Sequence, residues 1–134
     1  MKYLFLSFLF CFPYLSSAQE MGGREIMKEG TYLYPEKIAQ PKNGLDSFYI
    51  DFAQNFDFTT LSNPSIIEFK CVLEFFVEKD GSLTNINTIM DSYNAGKEAI
   101  RLLKSMPKWK PATEKGEIVR SKYKLNLHIK KPVN

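Results

Sequence analysis

The sequence has very little histidine and cysteine, two residue types that hold metal ions and act in catalysis. Its 134 residues include one histidine, His128, and two cysteines, Cys11 and Cys71. A metal site needs several histidine, cysteine or carboxylate side chains that converge, and no motif in this chain supplies such a set. The glycines are scattered, and none belongs to a phosphate-binding loop. The sequence therefore predicts a protein that is not an enzyme and that binds no metal ion or other cofactor.

The only long apolar run lies at the N-terminus. Residues 3–15 are almost entirely apolar, one lysine precedes them, and Ser16, Ser17 and Ala18 follow with small side chains. This order is typical of a secretory signal peptide, whereas a transmembrane anchor needs about 20 apolar residues. We predict a signal peptide over residues 1–18, cleavage after Ala18 and localisation in the periplasm. The alternative is an uncleaved leader that anchors the protein in the inner membrane.

Three residue types that often carry chemistry have structural interpretations here. Cleavage of the leader would leave Cys71 as the sole cysteine, which excludes an internal disulfide. Cys71 falls on the apolar face of a predicted strand, so we expect it to be buried and unreactive. Trp109 lies between two prolines and is interpreted as a core anchor. His128 has a solvent-facing position in its predicted strand and is interpreted as a surface imidazole.

Basic residues are concentrated toward the C-terminus. Residues 108–134 contain 8 basic and 2 acidic residues, whereas residues 19–107 contain 9 basic and 13 acidic ones. A solvated face of the domain accounts for a charge run of this kind. The chain has no aromatic-basic motif of the sort that nucleic-acid-binding modules carry. We therefore expect neither a nucleic acid nor a small-molecule substrate as its partner.

The chain divides into a polar lead-in over residues 19–44 and a domain over residues 45–131. Glycine and proline interrupt the lead-in, which predicts little regular structure. Its apolar residues around Tyr32 could still dock on the domain or form a short strand. Residues 45–58 then have a helical period, because their apolar side chains recur at offsets 0, 3, 4, 7, 8 and 11. These residues are Leu45, Phe48, Tyr49, Phe52, Ala53 and Phe56.

Three later segments have the period of a β-strand. Residues 65–78 alternate around Cys71 with one wholly apolar face, Asp80-Gly81 supplies a turn, and residues 83–90 form the returning strand. Asn94 is the predicted N-cap of a helix over residues 95–105. Residues 119–130 alternate most cleanly. The apolar side of this last strand carries Val119, Tyr123, Leu125, Leu127 and Ile129, and the polar side carries Arg120, Lys122, Lys124, Asn126, His128 and Lys130.

The order of these elements predicts their arrangement in a sheet. A helical crossover tends to return the chain parallel to the strand that it left. The strand over residues 65–78 should therefore lie in the middle, antiparallel to both others, and the last strand should lie at an edge. Lysines on an edge strand discourage indiscriminate pairing.

Several of these segments together resemble the C-terminal domain of TonB proteins. The residues that carry the resemblance are the hairpin Phe75-Phe76-Val77-Glu78-Lys79-Asp80-Gly81-Ser82-Leu83-Thr84, the helix and its Met106-Pro107-Lys108-Trp109-Lys110-Pro111 extension, and the closing strand. The resemblance covers roughly residues 45–130. It implies an α+β fold, namely a three-stranded antiparallel sheet with two helices packed on one face.

The resemblance also implies a binding function. The C-terminal domain of TonB proteins binds the TonB box of an outer-membrane receptor, an extended segment that adds beside the last strand by β-augmentation. The implied partner is such a receptor segment or another envelope protein. The partner-binding residues would be those of the last strand: Arg120, Lys122, Tyr123, Lys124, Leu125, Asn126, Leu127 and His128.

The chain departs from TonB transducers in its N-terminal part. Those proteins have an uncleaved anchor and a long proline-rich spacer, whereas here about 26 residues separate Gln19 from the first helix, too few to span a periplasm. We therefore expect a separate periplasmic binding domain. Two alternatives stay open, a membrane-anchored energy transducer subunit with ExbB/ExbD-type motor partners and a structural envelope protein.

Overall fold

The computed structural model describes residues 26–27 and 30–133. In chain order the elements are β1 (Ile26–Met27), β2 (Thr31–Tyr32), α1 (Leu45–Asn55), a 3-10 turn (Phe58–Thr60), β3 (Glu68–Val77), β4 (Leu83–Asp91), α2 (Gly96–Ser105), β5 (Ala112–Glu114), β6 (Glu117–Val119) and β7 (Ser121–Lys130). The predicted signal peptide over residues 1–18 lies outside the described residues. Among those described, no helix combines the length and the apolar character that crossing a membrane requires.

The α+β class is confirmed, but the predicted three-stranded antiparallel sheet is wrong in its strand count and direction. β3 lies between β4 and β7 and pairs antiparallel with both. The main sheet has five strands in the order β1-β2-β7-β3-β4, and β2 runs parallel to β7. β5 and β6 form a separate two-stranded sheet. Two lead-in strands thus extend the sheet beyond β7, at the edge that the sequence predicted to be open.

The two faces of the sheet differ because β3 and β7 alternate. The odd-numbered residues of β3 are buried, and its even-numbered residues are exposed or half-buried. The buried face meets an aromatic cluster in which the Phe56 and Phe69 ring centroids are 4.5 Å apart and those of Phe75 and Trp109 are 5.3 Å apart. Both helices contribute buried residues to the hydrophobic core on this face, and the other face of the sheet is open to solvent.

Each helix buries one stripe of its surface, as its period predicts. In α1 the buried residues are Phe48 and Phe52, and the helix ends at Asn55, earlier than the period suggests, because a short 3-10 turn follows. In α2 the predicted N-cap Asn94 is wrong: the cap position is Ala95, with no side-chain cap. The Gly96 N–H instead donates to the Asp91 carboxylate at 3.1 Å, from the end of β4.

The described part of the lead-in packs on the domain. The Lys37 and Gln40 N–H groups donate to the carbonyls of Thr113 and Lys110, each at 3.0 Å. Thr31 and Ala39 are buried. The segment that follows β2 is therefore attached to the part of the domain around residues 110–113.

Cys71 is fully buried, in agreement with its predicted place on the apolar face. It lies opposite Leu127 of β7 and Asp91 of β4. Burial, and then the nearby Asp91 carboxylate, raise the pKa of the Cys71 thiol from 9.0 to about 11. Burial also raises the pKa of Tyr49 and, together with Tyr49, that of Tyr123.

The buried thiol predicts a loss of stability in alkali. Below pH 9 both states keep the proton, and between pH 9 and pH 11 the unfolded chain releases it while the folded domain retains it. The free energy of unfolding should therefore fall through this window, by about 3 kcal/mol from Cys71 alone. Urea denaturation at several pH values measures the decline. Cys71→Ala should flatten it without abolishing it, because Tyr49 and Tyr123 also release protons more easily on unfolding. An equally steep decline in Cys71→Ala would contradict the assignment.

Candidate functional site

Seven of the eight predicted partner-binding residues lie in β7, on both of its faces, and Arg120 directly precedes this strand. Leu125 and Leu127 are buried under the helices, whereas Lys124, Asn126 and His128 are exposed on the open face of the sheet. The remaining three, Arg120, Lys122 and Tyr123, are half-buried. The two leucines therefore position the strand in the core. A partner could contact only the exposed and half-buried side chains and the backbone along the outer edge.

The register of β7 determines which backbone groups face that outer edge. In an antiparallel pair, hydrogen-bonded and non-hydrogen-bonded residue pairs alternate. The Lys131 N–H donates to the Ile67 carbonyl at 2.7 Å, and the pairing of β3 with β7 continues without a register shift. The odd-numbered residues of β7 therefore bond to β3, and the even-numbered ones direct their N–H and C=O groups away from it.

β2 occupies the beginning of this outer edge. The Tyr32 N–H donates to the Arg120 carbonyl at 2.9 Å, and Tyr32 forms a parallel bridge with Ser121. The Arg120 guanidinium also donates to the Thr31 hydroxyl at 2.6 Å. In a parallel bridge, the residue that donates its N–H on one side of its partner accepts with its carbonyl on the other side. The Tyr32 carbonyl therefore faces the Lys122 N–H. The prediction that β7 is a fully open edge strand is therefore wrong for its first residues.

A side chain from α1 occupies a second point on the edge. The Tyr49 hydroxyl donates to the Asn126 carbonyl at 2.9 Å. Asn126 is even-numbered, so this carbonyl is one of the outward-facing groups. Tyr49 is half-buried, and its ring contacts Phe48 edge-on at 5.6 Å. The helical period had placed Tyr49 on the buried stripe, but nothing in the sequence indicated that its hydroxyl would reach the strand edge.

Lys124 is the first outward-facing residue of the uncovered part. No strand pairs with the outer edge of β7 after Ser121 among the residues that the structure describes. Both backbone groups of Lys124 face outward, and neither β2 nor Tyr49 reaches them. Its side chain is exposed and has no ion-pair partner in the described part of the chain. Lys124 thus offers an N–H, a C=O and a positive charge at one position.

The neighbouring basic side chains of Lys122 and His128 on the open face already contact carboxylates of β3. Lys122 Nζ is 2.7 Å from Glu74 Oε1, and His128 Nε2 bonds to Glu68. Each contact runs diagonally, because the residues directly opposite Glu74 and Glu68 are Lys124 and Lys130. The hydrogen bond from His128 holds the pKa of Glu68 below its usual range. The diagonal pairing explains why Lys124 is left without a carboxylate.

At the covered end, Arg120 is fixed by several contacts. Its Nε is 2.8 Å from Glu78 Oε1, and its guanidinium carbon is 3.9 Å from the centroid of the Phe76 ring. Burial alone would raise the pKa of Glu78, but hydrogen bonds from Thr84 and Arg120 outweigh it and lower that pKa. Arg120 therefore links residues of β2 and β3 at the start of β7, and its predicted role as a partner-binding residue stays a prediction.

Within the described residues, no three His, Cys, Asp or Glu side chains are placed to hold a metal ion. Comparisons of the chain with protein-family models, with curated proteins and with solved structures found no match. The geometry of the β7 edge is therefore the basis for a functional proposal.

Proposed function

We propose that this chain is a TonB C-terminal-like protein-binding domain of the periplasm. It pairs the outer edge of β7 with an extended segment of an outer-membrane receptor or of another envelope protein. The observation that carries the proposal is the row of outward-facing backbone groups from Lys124 to Lys130, with no strand beside it in the described residues. The resemblance of the hairpin and of the Met106–Pro111 segment to the TonB family supports the same function.

The chemistry of the edge favours a partner segment with acidic residues. An added strand would place alternate side chains over the open face, beside the exposed Lys130 and beside Lys124, which has no ion-pair partner among the described residues. Opposite charges on neighbouring strands stabilise pairing, and like charges oppose it. The net +6 of residues 108–134 would speed the encounter with an acidic segment, more strongly at low salt.

A pair of proline variants tests strand addition. Proline has no N–H to donate. Leu125 faces Leu73 in a hydrogen-bonded pair, and its side chain is 1% exposed, so Leu125→Pro should unfold the domain. Lys124→Pro removes only an outward donor and should fold. With a synthetic TonB-box peptide as the probe, titration calorimetry should show binding to the wild-type domain and none to Lys124→Pro.

Lys124→Ala is the matched control, because it removes the charge and keeps the N–H. It should bind the peptide more weakly than wild type, but much more tightly than Lys124→Pro. If a folded Lys124→Pro binds the peptide as tightly as Lys124→Ala does, strand addition at this edge is wrong.

A further inference from the structure

The hydrogen bond from Tyr49 to Asn126 places a competing donor inside the proposed binding edge. Along the outer edge of β7, the Asn126 carbonyl lies next in the outward-facing series after Lys124. A strand that extends past Lys124 would direct an N–H at this carbonyl, where the Tyr49 hydroxyl is already bound at 2.9 Å. Binding over the whole edge would therefore bring a second donor to a carbonyl oxygen beside which the Tyr49 hydroxyl already lies.

We propose that Tyr49 is a specificity-determining residue that limits which strands can add to β7. The proposal rests on the proposed function. A segment can pair with the full outer edge of β7 only if it displaces the Tyr49 hydroxyl and packs against the tyrosine ring. A short or poorly matched strand stops at Lys124. The same hydrogen bond protects an edge that would otherwise pair with unrelated strands.

The surroundings of Tyr49 indicate what the displacing segment must look like. Tyr49 and Tyr123 are half-buried neighbours on the helix side of the edge. Lys124 and Lys130 are exposed on the opposite side of the sheet. Since strand residues alternate between the two sides, the fitting partner has apolar side chains toward the tyrosines and acidic ones toward the lysines. It also has a backbone N–H, hence no proline, at the residue that faces Asn126.

Tyr49→Phe tests the competition because it removes the hydroxyl and keeps the ring that packs on Phe48. The probe is the same synthetic TonB-box peptide, and calorimetry measures its affinity. Loss of one competing hydrogen bond should tighten binding by about two- to tenfold, the equilibrium factor of one net hydrogen bond. The carbonyl-carbon NMR signal of Asn126 in the free domain should also shift, which reports directly that the acceptor has been released.

Tyr123→Phe is the matched control. It removes a hydroxyl from the same side of the edge, and that hydroxyl bonds to no backbone carbonyl among the described contacts. Any change in its affinity for the peptide reports the effect of a more apolar surface alone, and this change should be smaller than the gain in Tyr49→Phe. An equal gain in both variants would overturn the proposal, because the effect would then come from a more apolar surface.

The remaining outcomes separate this inference from the proposed function. If Lys124→Pro abolishes binding while Tyr49→Phe binds as the wild type does or more weakly, strand addition stands and the role of Tyr49 is wrong. If the peptide binds neither wild type nor Tyr49→Phe, the proposed function fails and this inference fails with it.

Discussion

Trp109→Ala should lower the free energy of unfolding by about 3–5 kcal/mol. The indole is 3% exposed and lies where α1, β3 and β7 meet. Its centroid is 5.6 Å from Phe48, 5.3 Å from Phe75 and 4.9 Å from Tyr123, each in edge-to-face geometry. Truncation would leave a cavity among three rings that cannot collapse to fill it. Domains are stable by only about 5–15 kcal/mol, so the loss is a large part of the total.

Thermal and urea denaturation measure this loss. Trp109→Phe is the control, because it keeps an aromatic ring in the site and should be destabilised far less than Trp109→Ala. The peptide titration gives a second readout. If Trp109→Ala melts like the parent protein but no longer binds the peptide, Trp109 belongs to a binding surface and its interpretation as a core anchor is wrong.

β3, β7 and both helices could be predicted because each has a regular apolar period over ten or more residues. Cys71 and Leu125 occupy the buried faces that the alternation indicated, and Asp80-Gly81 forms the turn between β3 and β4. The first and last residues of the elements were predicted less accurately. The strand predicted over residues 119–130 is divided into β6 and β7 at Arg120, where the chain leaves one sheet and joins the other.

The features that decide the shape of the candidate site left no periodic signal. β2 has two residues, Thr31 and Tyr32, and two residues cannot show an alternation. Its pairing with β7 depends on contacts of the lead-in with Lys110 and Thr113, which are far away in sequence. The Tyr49 hydroxyl bonds to the Asn126 carbonyl because α1 packs against β7, which brings together two residues that are far apart in the chain. Such contacts follow from the packed arrangement of elements and not from the pattern within any one of them.

Residue pairing on the open face could not be predicted from the sequence either. Alternation placed Lys122, Lys124 and His128 on one face, and Glu68 and Glu74 on the mixed face of the central strand. Which basic side chain pairs with which carboxylate depends on the register of β3 and β7 and on the diagonal offset between the strands. That offset leaves Lys124 without an ion-pair partner among the described residues, a distinction that composition alone could not make.

The tight turn between β3 and β4 provides the second large expected effect. Gly81 has φ +84°, its N–H donates to the Glu78 carbonyl at 2.9 Å, and its carbonyl accepts from the Trp109 N–H at 2.9 Å. A Cβ added at this position would lie 2.0 Å from the Trp109 carbonyl oxygen, well inside contact distance. Either the turn or the segment that carries Trp109 into the core would have to move.

Gly81→Ala should therefore lower the free energy of unfolding by at least about 3 kcal/mol, combining left-handed strain with a backbone collision. Gly116→Ala is a matched control: Gly116 has φ +80°, but a Cβ there would meet nothing within 4 Å. Strain alone should cost that variant about 1–2 kcal/mol. Urea denaturation of both variants measures the difference between their free energies of unfolding, which is the cost of the collision. If Gly81→Ala fails to fold while Gly116→Ala folds, the collision is also demonstrated. If the urea transitions of the two variants have equal midpoints and slopes, a Cβ at residue 81 does not collide with the Trp109 backbone.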